Sequence, residues 1–350
     1  MRLVRYKGFT LVELLVVIGI IGVLVSVLLP ALGRARQASW AIKCASNLRS
    51  IGQAMTGYTA ENKGFYPAAY IYVGMKLTPT SESPDAAING YLHWSSYLYS
   101  HKDSEQSDSP FRSMTGWDMF QCPTIERGGL SPTNTFAGNR DEGQQNDDAA
   151  IIDKQSPRCA YTVNEAICPR NKFVLTFQGA VRTYHYVSAA NIKQAAQTIL
   201  ATEWNPDWRI VAGPPRIDGG SPTGSAADTV CKSHRPISGY VGMSGELDLE
   251  KVAKDTFRNP PAPAIRRAKP SDLMSNPQYP GISASKTRLD WVGRNHYPAF
   301  DQTGFNIGKS NFLYVDGHVE TKQIRETLAP AFEWGQTIYS MTPINDILPQ

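Results

Sequence analysis

From Leu14 to Gly33, twenty consecutive residues carry no charge. At about 1.5 Å per helical residue, such a run crosses a hydrocarbon core of roughly 30 Å. Any fold of this chain must therefore leave the segment in lipid or among other apolar helices. Directly before it stands Lys7-Gly8-Phe9-Thr10-Leu11-Val12-Glu13, and Arg2 and Arg5 add positive charge upstream. Cations on that side hold the N-terminal end in the cytoplasm and send the C-terminal bulk outward. An ordinary secretory signal carries its small-residue cleavage site after the apolar stretch. Here the cleavage point, Gly8 followed by Phe9, precedes it, so cutting leaves the helix on the product. A plain signal anchor with a chance Gly-Phe is the competing reading.

Glu13 separates the two readings. A carboxylate inside a membrane helix costs on the order of 2.5–3.5 kcal/mol, so such an acid needs a partner. Cleavage after Gly8 creates an ammonium on Phe9, one helical turn from Glu13. In a helical assembly the ammonium of one subunit can neutralise Glu13 of its neighbour, which makes the acid a register device.

Residues 7–30 resemble the N-terminal segment of type IV pilins and type II secretion pseudopilins. The resemblance implies a membrane-embedded prepilin peptidase that cuts after Gly8 and methylates Phe9. It also implies partnership with other pilin-like subunits and with an inner-membrane assembly machinery. Pro30 lacks an N–H and is expected to kink or open a helix running through it, or else to mark the end of the span. The expected organisation is a leader at 1–8, a transmembrane helix at 9–30, a helical spine at 31–62 and a periplasmic or extracellular domain at 63–350.

Trp40, Ala41, Cys44, Leu48, Ile51, Met55 and Tyr58 recur at three- and four-residue steps, which extends the helix with one buried face. It should stop near Asn62-Lys63-Gly64. With 350 residues, 41% apolar content and seven tryptophans, the part beyond the helix is large enough to bury a core. The formal charge of +4 includes three leader cations, so the mature chain has no broad basic field and nucleic acid is not an expected partner. Arg266-Arg267-Ala268-Lys269 reads as a solvated loop.

The five cysteines, Cys44, Cys122, Cys159, Cys168 and Cys231, show no C-x-x-C spacing and no neighbouring histidine pattern, so they are not expected to hold zinc. In an oxidising compartment Cys122, Cys159, Cys168 and Cys231 form one or two disulfides, with three connectivities open and Cys44 left as a buried thiol. No cofactor is expected, and a calcium site among the loop Asp and Asn residues stays unassigned.

The outer region is expected to be an antiparallel sheet with long loop insertions, giving an α+β, pilin-like fold in which the N-terminal helix is the spine. Strand candidates are Tyr161-Thr162-Val163, residues 182–187 and residues 198–204; residues 126–158, 211–236 and 255–290 read as loops. In Asn311-Phe312-Leu313-Tyr314-Val315-Asp316-Gly317-His318-Val319-Glu320, Asp316-Gly317 predicts a two-residue hairpin with positive φ at both turn positions. Alternatively Asp316 joins His318 or His296 in a calcium or catalytic site.

That segment resembles the C-terminal signature of a group of large prepilin-like proteins: a histidine, nine residues, then Asp-Gly. Cys44-Ala45-Ser46-Asn47-Leu48, Phe120-Gln121-Cys122-Pro123, Ile199-Leu200-Ala201-Thr202-Glu203 and Trp334-Gly335 fit the same group. The spacing falls on Asn306, however, and the candidate motif histidine is His296, as though the intervening loop were longer.

Signatures of catalysis are missing. Gly242-Met243-Ser244-Gly245-Glu246 fails as a nucleophile elbow at its last position, and there is neither an H-E-x-x-H nor a P-loop. The reading is a non-enzymatic pilin-like subunit of a type II pseudopilus or type IV pilus-like filament. The alternatives are an anchored adhesin or glycan-binding protein, which would display clustered loop aromatics, and an anchored enzyme.

Overall fold

The computed structural model describes residues 10–72, 90–98, 117–134, 143–144, 153–170, 176–177, 180–181, 184–213, 230–242, 265–277 and 287–341. Gly8 and Phe9 lie outside them. One helix, α1 (Leu11–Glu61), dominates the N-terminal part; its 51 residues make it about 75 Å long. A capping box starts it, and Asn62 caps its end before Lys63 and Gly64 turn the chain with φ of 55° and 84°. This is the stop expected from Asn62-Lys63-Gly64.

Pro30 is corrected by the structure. The helical backbone passes through it without interruption, so α1 does not break at Pro30. Its missing N–H deprives only one carbonyl, four residues back at Ser26, of an intrahelical donor.

The strands follow as β1 (Tyr70–Tyr72), β2 (Tyr91–His93), β3 (Tyr161–Val163), β4 (Thr176–Phe177), β5 (Ala180–Val181), β6 (Ile199–Glu203), β7 (Ala212–Gly213), β8 (Val230–Cys231), β9 (Tyr240–Gly242), β10 (Ile265–Arg267), β11 (Lys309–Tyr314) and β12 (Val319–Gln323), with a short helix α2 (Trp94–Leu98) after β2. The main sheet has the order β12-β11-β6-β3 and is antiparallel throughout. Among the described residues there are also four two-stranded ladders, β1-β2, β4-β5, β7-β8 and β9-β10. Of the strand expectations, Tyr161–Val163 and the core of 198–204 are strands. Within 182–187, the described residues Tyr184–Val187 form only an isolated bridge, Tyr184 to Met341.

Strands β3, β6 and β11 are buried on both faces, while the edge strand β12 is partly exposed. Leu313 of β11 meets α1 so closely that a Cβ placed on Gly52 would lie 2.9 Å from Leu313 Cδ1, which is why a glycine suits the helix there. On the opposite face, by the two-residue alternation of a strand, Phe312 packs edge-on against the fully buried Trp334. Trp94, Trp117, Trp204 and Trp334 anchor one continuous core that also takes in Cys44, Leu48, Ile51 and Met55 of α1. The result is the α+β, pilin-like layout expected, a long helix laid on an antiparallel sheet.

Candidate functional site

Two places on α1 hold the chemistry. The first is its N-terminal half. Leu11 to Leu29 touches nothing in the folded domain, and every large apolar side chain along it is exposed. This is the only helix among the described residues that is long and apolar enough to cross a membrane. Glu13 lies near its start in an unexpected contact. Its carboxylate Oε2 accepts from the Thr10 backbone N–H at 2.9 Å and from the Thr10 hydroxyl at 2.7 Å, while Thr10 Oγ1 accepts from the Glu13 N–H at 3.2 Å. Thr10 and Glu13 thus form a capping box, in which two otherwise unpaired donors are satisfied reciprocally. The Thr-x-x-Glu spacing was legible in the sequence.

The second place is where α1 enters the domain. Asn47 Nδ2 donates to the Gln121 carbonyl at 2.6 Å, and Asn311 Nδ2 donates to the Ala41 carbonyl at 3.2 Å, so polar contacts fix the helix against both the 117–122 segment and β11. Between these contacts Cys44 and Cys122 form a disulfide with Cα atoms 5.5 Å apart. This corrects the cysteine expectation: Cys122 pairs with the helix cysteine, and Cys159, Cys168 and Cys231 are buried thiols. Burial pushes Cys159 up to about 12 and Cys231 to about 11, and raises Cys168 too. Such thiols stay protonated and inert.

Beside the disulfide lie Glu203, at the end of β6, and His296, on the segment that bridges to β11. Both are fully buried. His296 Nε2 stands 3.0 Å from Glu203 Oε1. Glu203 also accepts from Asn311 Nδ2 at 2.9 Å, from the Asn311 N–H at 3.0 Å and from Ser310 Oγ at 3.1 Å. Donor atoms of Cys44, Cys122, Glu203 and His296 all lie within 4.8 Å of one another. No sequence signal joined these four, because they come from four separated stretches of chain.

The Asp-Gly hairpin is present, with a different turn. Gly317 N–H donates to the Tyr314 carbonyl and Tyr314 N–H to the His318 carbonyl, each at 2.9 Å, so the loop has three residues, Val315 to Gly317. Only Gly317 takes positive φ, 92°. Asp316 Oδ1 accepts from the His318 N–H and lies 2.6 Å from His318 Nδ1, and the His318 ring stacks on Tyr314 at 4.2 Å. Asp316 is thus a turn residue bound to its own hairpin, and it is not brought together with His296. Asn306 also serves a turn, its Oδ1 accepting from the Gly308 N–H at 2.9 Å.

Residues 4–29 match the family model described as the prokaryotic N-terminal methylation motif. The match brackets Gly8, Phe9 and Glu13, and it coincides with the membrane-capable half of α1. Comparisons with curated proteins and with solved structures returned no match. The motif, together with a bare apolar helix rising from an α+β domain, supports a precursor of the type IV pilin or pseudopilin class.

Proposed function

We propose that the chain is a structural pilin-like subunit: a prepilin cut after Gly8 by prepilin peptidase, methylated on Phe9, held in the inner membrane by α1 and assembled with like subunits through that helix. The observation that carries this reading is the division of one continuous helix into a bare apolar half and a half built into the domain core. A bare apolar surface of this length is stable only in lipid or against other helices. Assembly exchanges the first environment for the second, and the C-terminal domain then faces the periplasm or the exterior. Processing by the peptidase and subunit packing need no catalytic group of the chain's own.

The described aromatics support a structural subunit over an adhesive one. Five of the seven tryptophans are buried, and among the described residues outside α1 the exposed large apolar side chains are Phe65, Tyr186, Tyr297 and Phe300.

The capping box gives Glu13 two separable roles. Glutamine at that position keeps the box, since Glu and Gln both serve there, but removes the charge. With Glu13→Gln, cleavage is expected to proceed normally while the subunit disappears from sheared filament or pseudopilus fractions. Glu13→Ala should behave the same way. Normal assembly of the Gln variant would reduce Glu13 to a helix cap and remove the register device.

A further inference from the structure

The disulfide, His296 and Glu203 are packed more closely than a structural cross-link requires. Disulfides are commonly surrounded by apolar side chains, yet here a buried imidazole and a buried carboxylate share the site with the two sulfurs, all four donors within 4.8 Å. One atom has no partner: His296 Nδ1 is buried and makes no hydrogen bond. Its other nitrogen is committed to Glu203 Oε1 at 3.0 Å. A carboxylate that takes the N–H of one imidazole nitrogen fixes the ring and leaves the other nitrogen basic, the arrangement that orients histidine ligands in zinc sites.

We propose that Cys44, Cys122 and His296 form a binding site for a zinc-class divalent cation, with Glu203 positioning His296, and that the disulfide and the metal are exclusive states of this one site. Two thiolates and an imidazole are the donor set that borderline-soft zinc takes, and three protein ligands leave a fourth position for water. Zinc–donor bonds of about 2.0–2.3 Å place tetrahedral ligands roughly 3.3–3.8 Å apart, within reach of this cluster after small side-chain shifts. A cleft of about 200 Å³ is walled by Trp40, Thr124, Asn295 and His296. Asn295 Oδ1 is a second buried atom without a partner there.

The exchange balances. A dithiol reductant opens the Cys44–Cys122 bond and is left as its own disulfide, giving two thiols; the cation then displaces both thiol protons to solvent and takes the two thiolates. The cation neutralises the thiolates, and Glu203 keeps its three other hydrogen-bond donors. The three remaining cysteines are not part of this cluster.

The test uses the full chain in detergent, with and without a water-soluble trialkylphosphine, which opens the disulfide with water as it becomes the phosphine oxide. Cobalt(II) is the probe. The oxidised chain should take no cobalt. The reduced chain should bind one cobalt with a thiolate charge-transfer band and the d–d bands of tetrahedral geometry, and zinc should displace it. Glu203→Gln, which keeps the shape of the side chain, should weaken binding about 10–100-fold. A readout free of variants accompanies it: zinc should protect Cys44 and Cys122 of the reduced wild-type chain from alkylation, mapped by peptide mass. Absence of thiolate bands, or zinc-independent alkylation of Cys44 and Cys122, would show a disulfide only and overturn the proposal.

Discussion

The two halves of α1 share one continuous helix and meet opposite fates. Between Leu11 and Leu32 the apolar side chains point in all directions and are exposed; between Ala41 and Thr59 one face, carrying Cys44, Leu48, Ile51 and Met55, is buried, and Ile42 is the large apolar side chain left exposed. The first pattern has no partner within the chain and so requires an outside solvent, lipid or neighbouring helices. The second supplies its own partner, the β11 side of the sheet. The helical backbone continues across Pro30 and joins the two.

Removing residues 9–33 should produce the largest change. The product is expected to leave the membrane fraction entirely while keeping the thermal unfolding transition of the full chain, because the buried part of α1 begins at Ala41. Membrane retention, or loss of the folded transition, would show that the halves are not separable.

The same substitution placed in each half sharpens the contrast. Leu48→Ala, at a fully buried site, should cost about 2–5 kcal/mol in denaturant unfolding. Leu24→Ala, at an exposed site, should change domain stability by less than about 0.5 kcal/mol. Equal effects would dissolve the distinction.

Acid provides a smaller test, since buried titratable groups belong to the domain. Burial holds His93 down to about 3 and His234 well below the ordinary histidine range, so both are neutral in the fold. Their stabilising effect is present above about pH 6.5 and is lost as pH falls and the unfolded chain takes up protons, by about 1.4 kcal/mol per pH unit each. Asp153 opposes them. Burial raises it to about 6, so between there and 3.8 the fold holds a proton that the unfolded chain does not, and stability rises as pH falls. Two groups against one leave a net loss of about 3 kcal/mol between pH 7 and pH 5. His93→Gln should largely flatten unfolding free energy between pH 6 and pH 4; an unchanged slope would remove His93 from the account.

What the sequence made legible was local. The N-terminal methylation motif, the length of α1, its stop at Asn62-Lys63-Gly64, and strands β3 and β6 each rest on residues adjacent in the chain. The Asp316-Gly317 hairpin was also visible, though not its loop length, because turn type depends on how β11 and β12 pair. The Cys44–Cys122 disulfide was hidden for a different reason. In the sequence Cys44 falls within a packing stripe, and only the docking of the 117–122 segment through Asn47 shows that its partner lies across that stripe. Glu203 and His296 each stand in a separate sequence motif, but a strand end and a distant loop meet only once the sheet order is known.

The proposed subunit requires cleavage immediately before the apolar half of α1, which leaves that half at the new N-terminus for assembly. Mass spectrometry of the N-terminal peptide from the membrane-extracted protein in its own host tests it most directly. A peptide beginning at Phe9 with one added methyl group is the expected result. An intact Met1 start, or a start beyond Pro30, would contradict the claim and make Glu13 no more than the partner of Thr10.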